Sequence, residues 1–278
     1  MIVCNDATIQ QYLTYMNEAN LCEFSLQLGM GGEVYDGSDV KWVYTGNMGL
    51  NRVLDARFSH DDAEDRINEL LEMFAGRGTM PHWITSPSTT PRDMMERLER
   101  RGFQHVPWSG MAADLNNLPD TIAKPEALRI LEVTSPALMR PWSQTMCRGF
   151  GWPDDVYESV YRLFAGLGVC GLIPWHHYLG YIDDQPVSTC TVYEGSGSLG
   201  VYMVSVIPSF RHQGIGTATT WHALRDAREA GHRIAVLQAS PMGNRVYESL
   251  AFEKHCDMTL YMPALSQDWA TREFSSPQ

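Results

Sequence analysis

The chain has 278 residues, enough for two domains or one large one. Apolar residues make up 44% and charged residues 19%, a balance that excludes wholesale disorder. The formal net charge of −12 argues against a nucleic-acid binder, whose surface would carry a basic face. The charge is uneven: residues 1–120 hold 9 basic and 18 acidic side chains, and residues 121–278 hold 12 and 15. An acidic first half favours solubility, and it would also attract a cationic substrate.

The six cysteines are Cys4, Cys22, Cys147, Cys170, Cys190 and Cys256. None forms a C-x-x-C pair and several sit in apolar runs, so reduced, buried thiols of a cytoplasmic protein are expected. The nine histidines show no H-x-x-x-H or H-E-x-x-H spacing, and no metal site is expected. His176-His177 is the one close pair, and on a strand its rings would point to opposite faces. No basic stretch followed by a long apolar one opens the chain, so no signal peptide is expected. No apolar run is long enough for a membrane span, so no membrane association is expected.

Helices are expected over Ile9–Ala19 and Asp61–Phe74. The second has Ile67, Leu70, Leu71 and Phe74 on one face, behind an acidic first turn, and ends at Gly76 and Gly78. Short strands and turns fill the stretch between Gly29 and Phe58, and His82–Thr85 reads as a strand. Pro91 suits the first position of a helix that Gly102 stops. Two strands are expected next, one from Phe103 and one over Met111–Leu115. The polar segment Asn116–Pro125 reads as a linker. Beyond it, strand Leu128–Val133 leads into an aromatic helical region from Pro136. Strands follow around Trp175–Ile182, Val187–Glu194 and Leu199–Val206. A long helix from Gly214 to Ala230, strand Ile234–Ala239, a short helix Asn244–Leu250 and strands within Phe252–Met262 complete the pattern. The tail Ser266–Gln278 reads as loosely held.

The chemistry is carried by Val204-Ser205-Val206-Ile207-Pro208-Ser209-Phe210-Arg211-His212-Gln213-Gly214-Ile215-Gly216-Thr217. An apolar strand ends at Pro208, and a glycine-rich turn feeds a long helix. Such a helix start exposes unpaired N–H groups and a partial positive charge, and glycines let the backbone approach an anion. This is a phosphate-binding arrangement, to which Arg211 can add a charged contact. It is not a Walker A loop, because no Lys follows Gly216. It is not a dinucleotide fingerprint, because Thr219 stands where a third Gly is needed.

R-x-x-G-x-G directly after V-x-V-x-P resembles the acyl-CoA-binding motif of the GNAT (general-control-related N-acetyltransferase) superfamily. Leu237–Gly243 followed by Val246-Tyr247-Glu248-Ser249-Leu250-Ala251-Phe252 is similar to the family's later motif, with Ala251 in place of the usual Gly. The likeness covers about residues 128–262. It implies an α/β fold: a mixed sheet with flanking helices, and acetyl-CoA bound where two strands splay apart. By that resemblance Val204 and Val206 would meet the pantetheine arm, and Gln213, Gly214, Ile215, Gly216 and Thr217 would cradle the pyrophosphate. Asn244 would touch the pantetheine or cap its own helix. Leu98-Glu99-Arg100-Arg101-Gly102-Phe103 is similar to the end of a second GNAT copy. Residues 1–120 therefore read as a degenerate GNAT-like domain that has lost CoA binding, and residues 121–278 as the catalytic one.

The implied chemistry is direct attack of an amine on a bound thioester, with Tyr247 as the acid that protonates the departing thiolate. Glu194, His176 and His177 are candidates for a base acting through water. Trp142, Phe150, Trp152, Tyr157 and Tyr202 are the candidate acceptor pocket, an aromatic cage under an acidic rim. The leading expectation is an acetyl-CoA-dependent N-acetyltransferase of small-molecule amines, without metal. Tandem-GNAT chemistry like that of mycothiol synthase, or an acyl-CoA-binding regulatory protein without turnover, are the alternatives.

Overall fold

The computed structural model describes residues 6–47, 49–168 and 174–263. Its first half runs α1 (Asp6–Gly29), β1 (Glu33–Asp36), β2 (Lys41–Tyr44), β3 (Arg52–Leu54), α2 (Ala63–Ala75), β4 (His82–Thr85), α3 (Met94–Glu99) and β5 (Phe103–Asp114). The second half runs β6 (Arg129–Glu132), α4 (Pro136–Gly149), α5 (Tyr157–Leu167), β7 (Trp175–Ile182), β8 (Gln185–Gly195) and β9 (Ser198–Val206). It ends with α6 (Ile215–Glu229), β10 (Ile234–Ala239), α7 (Asn244–Glu248) and β11 (Glu253–Pro263). The tail expected to be loosely held, and Cys4 and Cys170, lie outside the described residues. Cys147, Cys190 and Cys256 are buried, Cys22 is half-buried, and all four are free.

Four elements differ from the sequence reading. Helix α1 continues past Ala19 to Gly29, where the buried Asn20 and Ser25 break the apolar period and hide the continuation from the sequence. Their polar groups are satisfied from the sheet: the Asn20 side-chain amide donates to the Gly195 carbonyl at 2.7 Å. Pro91 precedes α3, whose N-cap is Asp93. Phe103–Asp114 forms one strand instead of two. Gly110 within it is a close-approach site, since a Cβ there would lie 2.3 Å from Cys256 Sγ. The final strands are likewise a single strand. Ala251, in the place of the family's usual glycine, sits at φ +64°, a left-handed conformation that disfavours a side chain.

The eleven strands of the described residues form one sheet, in the order β1-β2-β3-β4-β11-β5-β10-β9-β8-β7-β6. Strands are exchanged across residue 120. β11, from the end of the chain, lies antiparallel between β4 and β5. β5, from the first half, lies antiparallel between β11 and β10. The largest buried cluster is also shared: Leu21, Phe24, Leu50, Leu54 and Ile84 pack with Trp142, Met146, Phe164 and Tyr202. The linker is fastened to α6, where the Trp221 indole donates to the Pro119 carbonyl at 2.7 Å. No helix of the described residues is long and apolar enough to cross a membrane.

Candidate active site

β9 and β10 are parallel neighbours only at Leu199–Ala235 and Gly200–Val236, and then they diverge. The cause lies in β9. Met203 adopts φ +49°, and the pairing with β8 slips between Thr189 and Thr191, leaving an extra residue on β9. Such a bulge bends the strand and takes its edge out of the ladder. Thr189 Oγ1 donates to the Met203 carbonyl at 2.7 Å, which holds the bulge in place.

A cavity of about 390 Å³ opens in this splay. At one end lies the start of α6. Gly214 is the N-cap residue at φ +75°, with no side-chain cap and no acidic residue in the first turn. The first-turn amides therefore face the cavity with the helix's partial positive charge. The two glycines serve different needs. Gly214 needs its left-handed backbone, whereas a Cβ on Gly216 would lie 3.3 Å from Val206 Cγ2 and press helix off strand. Arg211 lines the cavity, but its Nη2 donates to the Gly149 carbonyl at 2.7 Å and its Nε to the Val206 carbonyl at 3.2 Å. It is first a brace between the loop and the end of α4.

Val204, Val206, Arg211, Gly214, Ile215, Gly216, Thr217, Tyr247, Phe150, Trp152 and Tyr202 all line this one cavity. Four sequence candidates do not. Gln213 is exposed on the loop. Trp142 is fully buried core, 4.9 Å from Phe164 ring to ring. Tyr157 packs on the outside of that core. Asn244 follows the N-cap Gly243 and caps nothing. Its Oδ1 is buried without a hydrogen-bond partner and does not reach the cavity.

Tyr247, on α7, meets Phe252 edge to face at 6.0 Å, and burial pushes its phenol above the ordinary tyrosine range. It is thus a neutral donor at physiological pH. Tyr202 is stacked on Phe24 at 3.8 Å, and its hydroxyl is committed to Asn20 Oδ1 at 2.7 Å.

None of the candidate bases lines the cavity. His176 is exposed and pairs with Glu132 at 2.6 Å, and Glu194 is exposed. His177 is fully buried among Trp142, Phe164 and Trp175, and burial pushes its pKa down to about 3. A ring that stays neutral in the fold but protonates at about 6.5 when unfolded destabilises the protein as pH falls from there towards 3. Replacing His177 with Phe should therefore flatten the fall of melting temperature between pH 6.5 and 4. An unchanged slope would show that His177 does not contribute to it.

No carboxylate lines the cavity among the described residues, so the expected acidic rim is not there. Sequence reasoning also missed one wall. Leu21, Gly49, Leu50, Arg52, His82 and Trp108 come from the first half. Gly49 lies under Trp152, where a Cβ would come within 2.8 Å of the indole. The start of α2 in the first half is unlike that of α6. α2 begins behind Asp62 with Glu64 and Asp65 in its first turn, and Asp39 and Glu69 stand in the same hollow. Those carboxylates would repel a phosphate.

Residues 120–241 match the family model of an acetyltransferase (GNAT) domain. No curated protein sequence matches the chain. Among solved structures, the chain resembles a GCN5-related N-acetyltransferase from Kribbella flavida. The TM-score is 0.64 at 18% identity, over 89% of this chain and 96% of that one. It resembles a GCN5-related N-acetyltransferase-like protein from Streptococcus suis at TM-score 0.55 and 15% identity, over 92% and 99%. A tandem GNAT protein from the clavulanic acid biosynthesis pathway follows at TM-score 0.50 and 13% identity, over 80% and 77%. At these identities the likeness is one of fold, the mixed-sheet α/β fold that the motif implied.

Proposed function

We propose, on the premise that this chain carries a GNAT acetyltransferase domain over residues 120–241, that it transfers an acetyl group from acetyl-CoA to the amine of a small molecule. One observation carries the reading. A single cavity joins the bare helix start of α6, the open edge of β9 and the Tyr247 phenol to an aromatic bed. When bound, acetyl-CoA supplies an activated acyl group and a thiolate leaving group. The amides of residues 214–217 hold the pyrophosphate, and the β9 edge from Val204 to Val206 aligns the pantetheine arm. Tyr247 delivers the proton to sulfur. Phe150, Trp152 and Trp108 keep water from the reacting amine. Among the described residues the cavity's imidazoles are His82, which burial and the Arg52 charge make too weak a base for an ammonium, and the exposed His212 on the loop, so the amine is drawn from its neutral fraction or loses its proton to water.

Calorimetry with acetyl-CoA and thiol release across a panel of amines test the proposal together. Failure to bind acetyl-CoA would overturn it. Tyr247, with a phenol facing the cavity, favours turnover over a purely regulatory role. The first-half wall of the cavity favours a variant of the same chemistry, in which the acceptor sits between the halves as in tandem enzymes of the mycothiol-synthase type.

Gly214→Val should weaken CoA binding by roughly a hundredfold, because the left-handed N-cap is lost together with the approach to the amides. Gly216→Val should weaken it less and lower the melting temperature more, because its contact is with Val206. Calorimetry on the folded variants reads the first effect and thermal unfolding the second. Parental CoA affinity in both would place the phosphate loop elsewhere.

A further inference from the structure

We propose that Arg52 makes this a site for amines that also carry a carboxylate, with the guanidinium holding that carboxylate on the side of the cavity away from the phosphate loop. The inference rests on the acetyltransferase reading and names its acceptor class.

Arg52 begins β3 and lines the cavity beside its register partner His82 on β4. Its Nη1 donates to Ser25 Oγ at 3.0 Å, its one hydrogen bond to the protein among the described residues. No carboxylate of the described residues forms an ion pair with it, although most arginines of the first half have such a partner: Arg57, Arg66, Arg77, Arg97, Arg100 and Arg101. Burial lowers its pKa only to about 10, so it remains charged at neutral pH. His82 beside it is held neutral, its pKa pushed down to about 3 by burial and by the Arg52 charge. Among the described residues the inner wall thus carries one net positive charge, a guanidinium with no carboxylate partner.

A buried charge without a partner is costly, and a ligand anion removes that cost. The planar fork of an arginine matches a carboxylate in two parallel hydrogen bonds. One cation next to a neutral imidazole balances a monoanion better than a phosphate dianion. The aromatic side chains that share the cavity with it, Trp108, Phe150, Trp152 and Tyr202, fit an apolar or aromatic frame on the acceptor. The same charge serves the reaction. A nearby cation disfavours an ammonium group, so it raises the neutral fraction of the attacking amine beside an imidazole too weak to take its proton.

Acetyl transfer is to be compared for matched pairs of aromatic amines, such as phenylalanine with 2-phenylethylamine and 4-(aminomethyl)benzoate with 4-methylbenzylamine. The carboxylate member should have the higher kcat/KM by roughly a hundredfold. In Arg52→Gln that ratio should collapse towards one, with acetyl-CoA affinity parental. Arg52→Lys should restore part of it. Binding of 3-phenylpropionate against 3-phenylpropionamide, by calorimetry on the parent and on Arg52→Gln, gives a readout independent of turnover. The carboxylate should bind at least about tenfold more tightly to the parent, and equally with its amide to the variant. Equal use and equal binding of charged and uncharged members would overturn the proposal, as would a preference that survives Arg52→Gln. Acetyl-CoA binding with transfer to uncharged amines would then leave the acetyltransferase reading standing. Loss of that reading would show instead as absent acetyl-CoA binding, whatever the carboxylate does.

Discussion

A fragment of residues 121–278 should be insoluble or inactive, with acetyl transfer lost entirely. The division looks natural in the sequence, since a polar linker precedes it and the glycine-rich motif lies wholly beyond it. Yet β10 pairs with β5 from Ile234–Asp114 to Ala239–Ser109, and β11 pairs with β5 from Glu253–Ala112 to Pro263–Phe103. Removing β5 leaves β10 as a bare edge and β11 with no neighbour. Unpaired edges of this length invite aggregation. The same cut exposes Trp142, Phe164 and Tyr202, which pack on Leu21, Phe24 and Leu50. It also removes one wall of the cavity. Size-exclusion chromatography and the thiol-release assay measure the outcome. A monomeric, fully active fragment would show that the first half is an appendage, and would take the acceptor site away from Arg52 as well.

Tyr247→Phe should lower kcat by roughly a hundredfold to ten-thousandfold, the usual cost of losing a positioned acid. The phenol is protonated at neutral pH, and burial holds it so. It lines the cavity on a short helix whose approach is tight, since a Cβ on Gly243 would lie 3.1 Å from the Tyr247 ring. Phenylalanine keeps the ring and its edge-to-face contact with Phe252. Acetyl-CoA affinity and melting temperature should therefore stay near parental values. Parental kcat, measured where chemistry limits the rate, would remove the acid role and make water the proton source.

The parts of the site legible in the sequence were those built from contiguous residues. A strand, a glycine-rich turn and a helix leave their mark at fixed spacing, so residues 204–217 could be read directly. Tyr247 followed from its place on the short helix before Phe252. At the acceptor end Phe150, Trp152 and Tyr202 line the cavity and Trp142 and Tyr157 do not, a split hidden because aromatic residues look alike in sequence whether they face a core or a cavity. Trp142 and Trp152 lie in one aromatic stretch, and only the packing of α4 separates them. Arg52, His82 and Trp108 were invisible for another reason. They reach the cavity through strand order and the crossing of α1, which no local period records. The only hint was an arginine opening a short apolar strand. The length of α1 was hidden likewise, since its buried asparagines read as surface until their partners in the sheet are known.

The exchanged strands bear on how the chain is made. β4 and β5 are consecutive strands of the first half, yet β11 separates them. A ribosome that has released everything up to β10 has still not supplied the strand that closes that gap. Until Glu253–Pro263 emerges, the nascent first half presents two facing, unsatisfied edges, and it cannot complete its own sheet ahead of the second half. The two halves must therefore mature together, and a stop codon anywhere before residue 253 would leave an open slot in the middle of the sheet instead of a trimmed end.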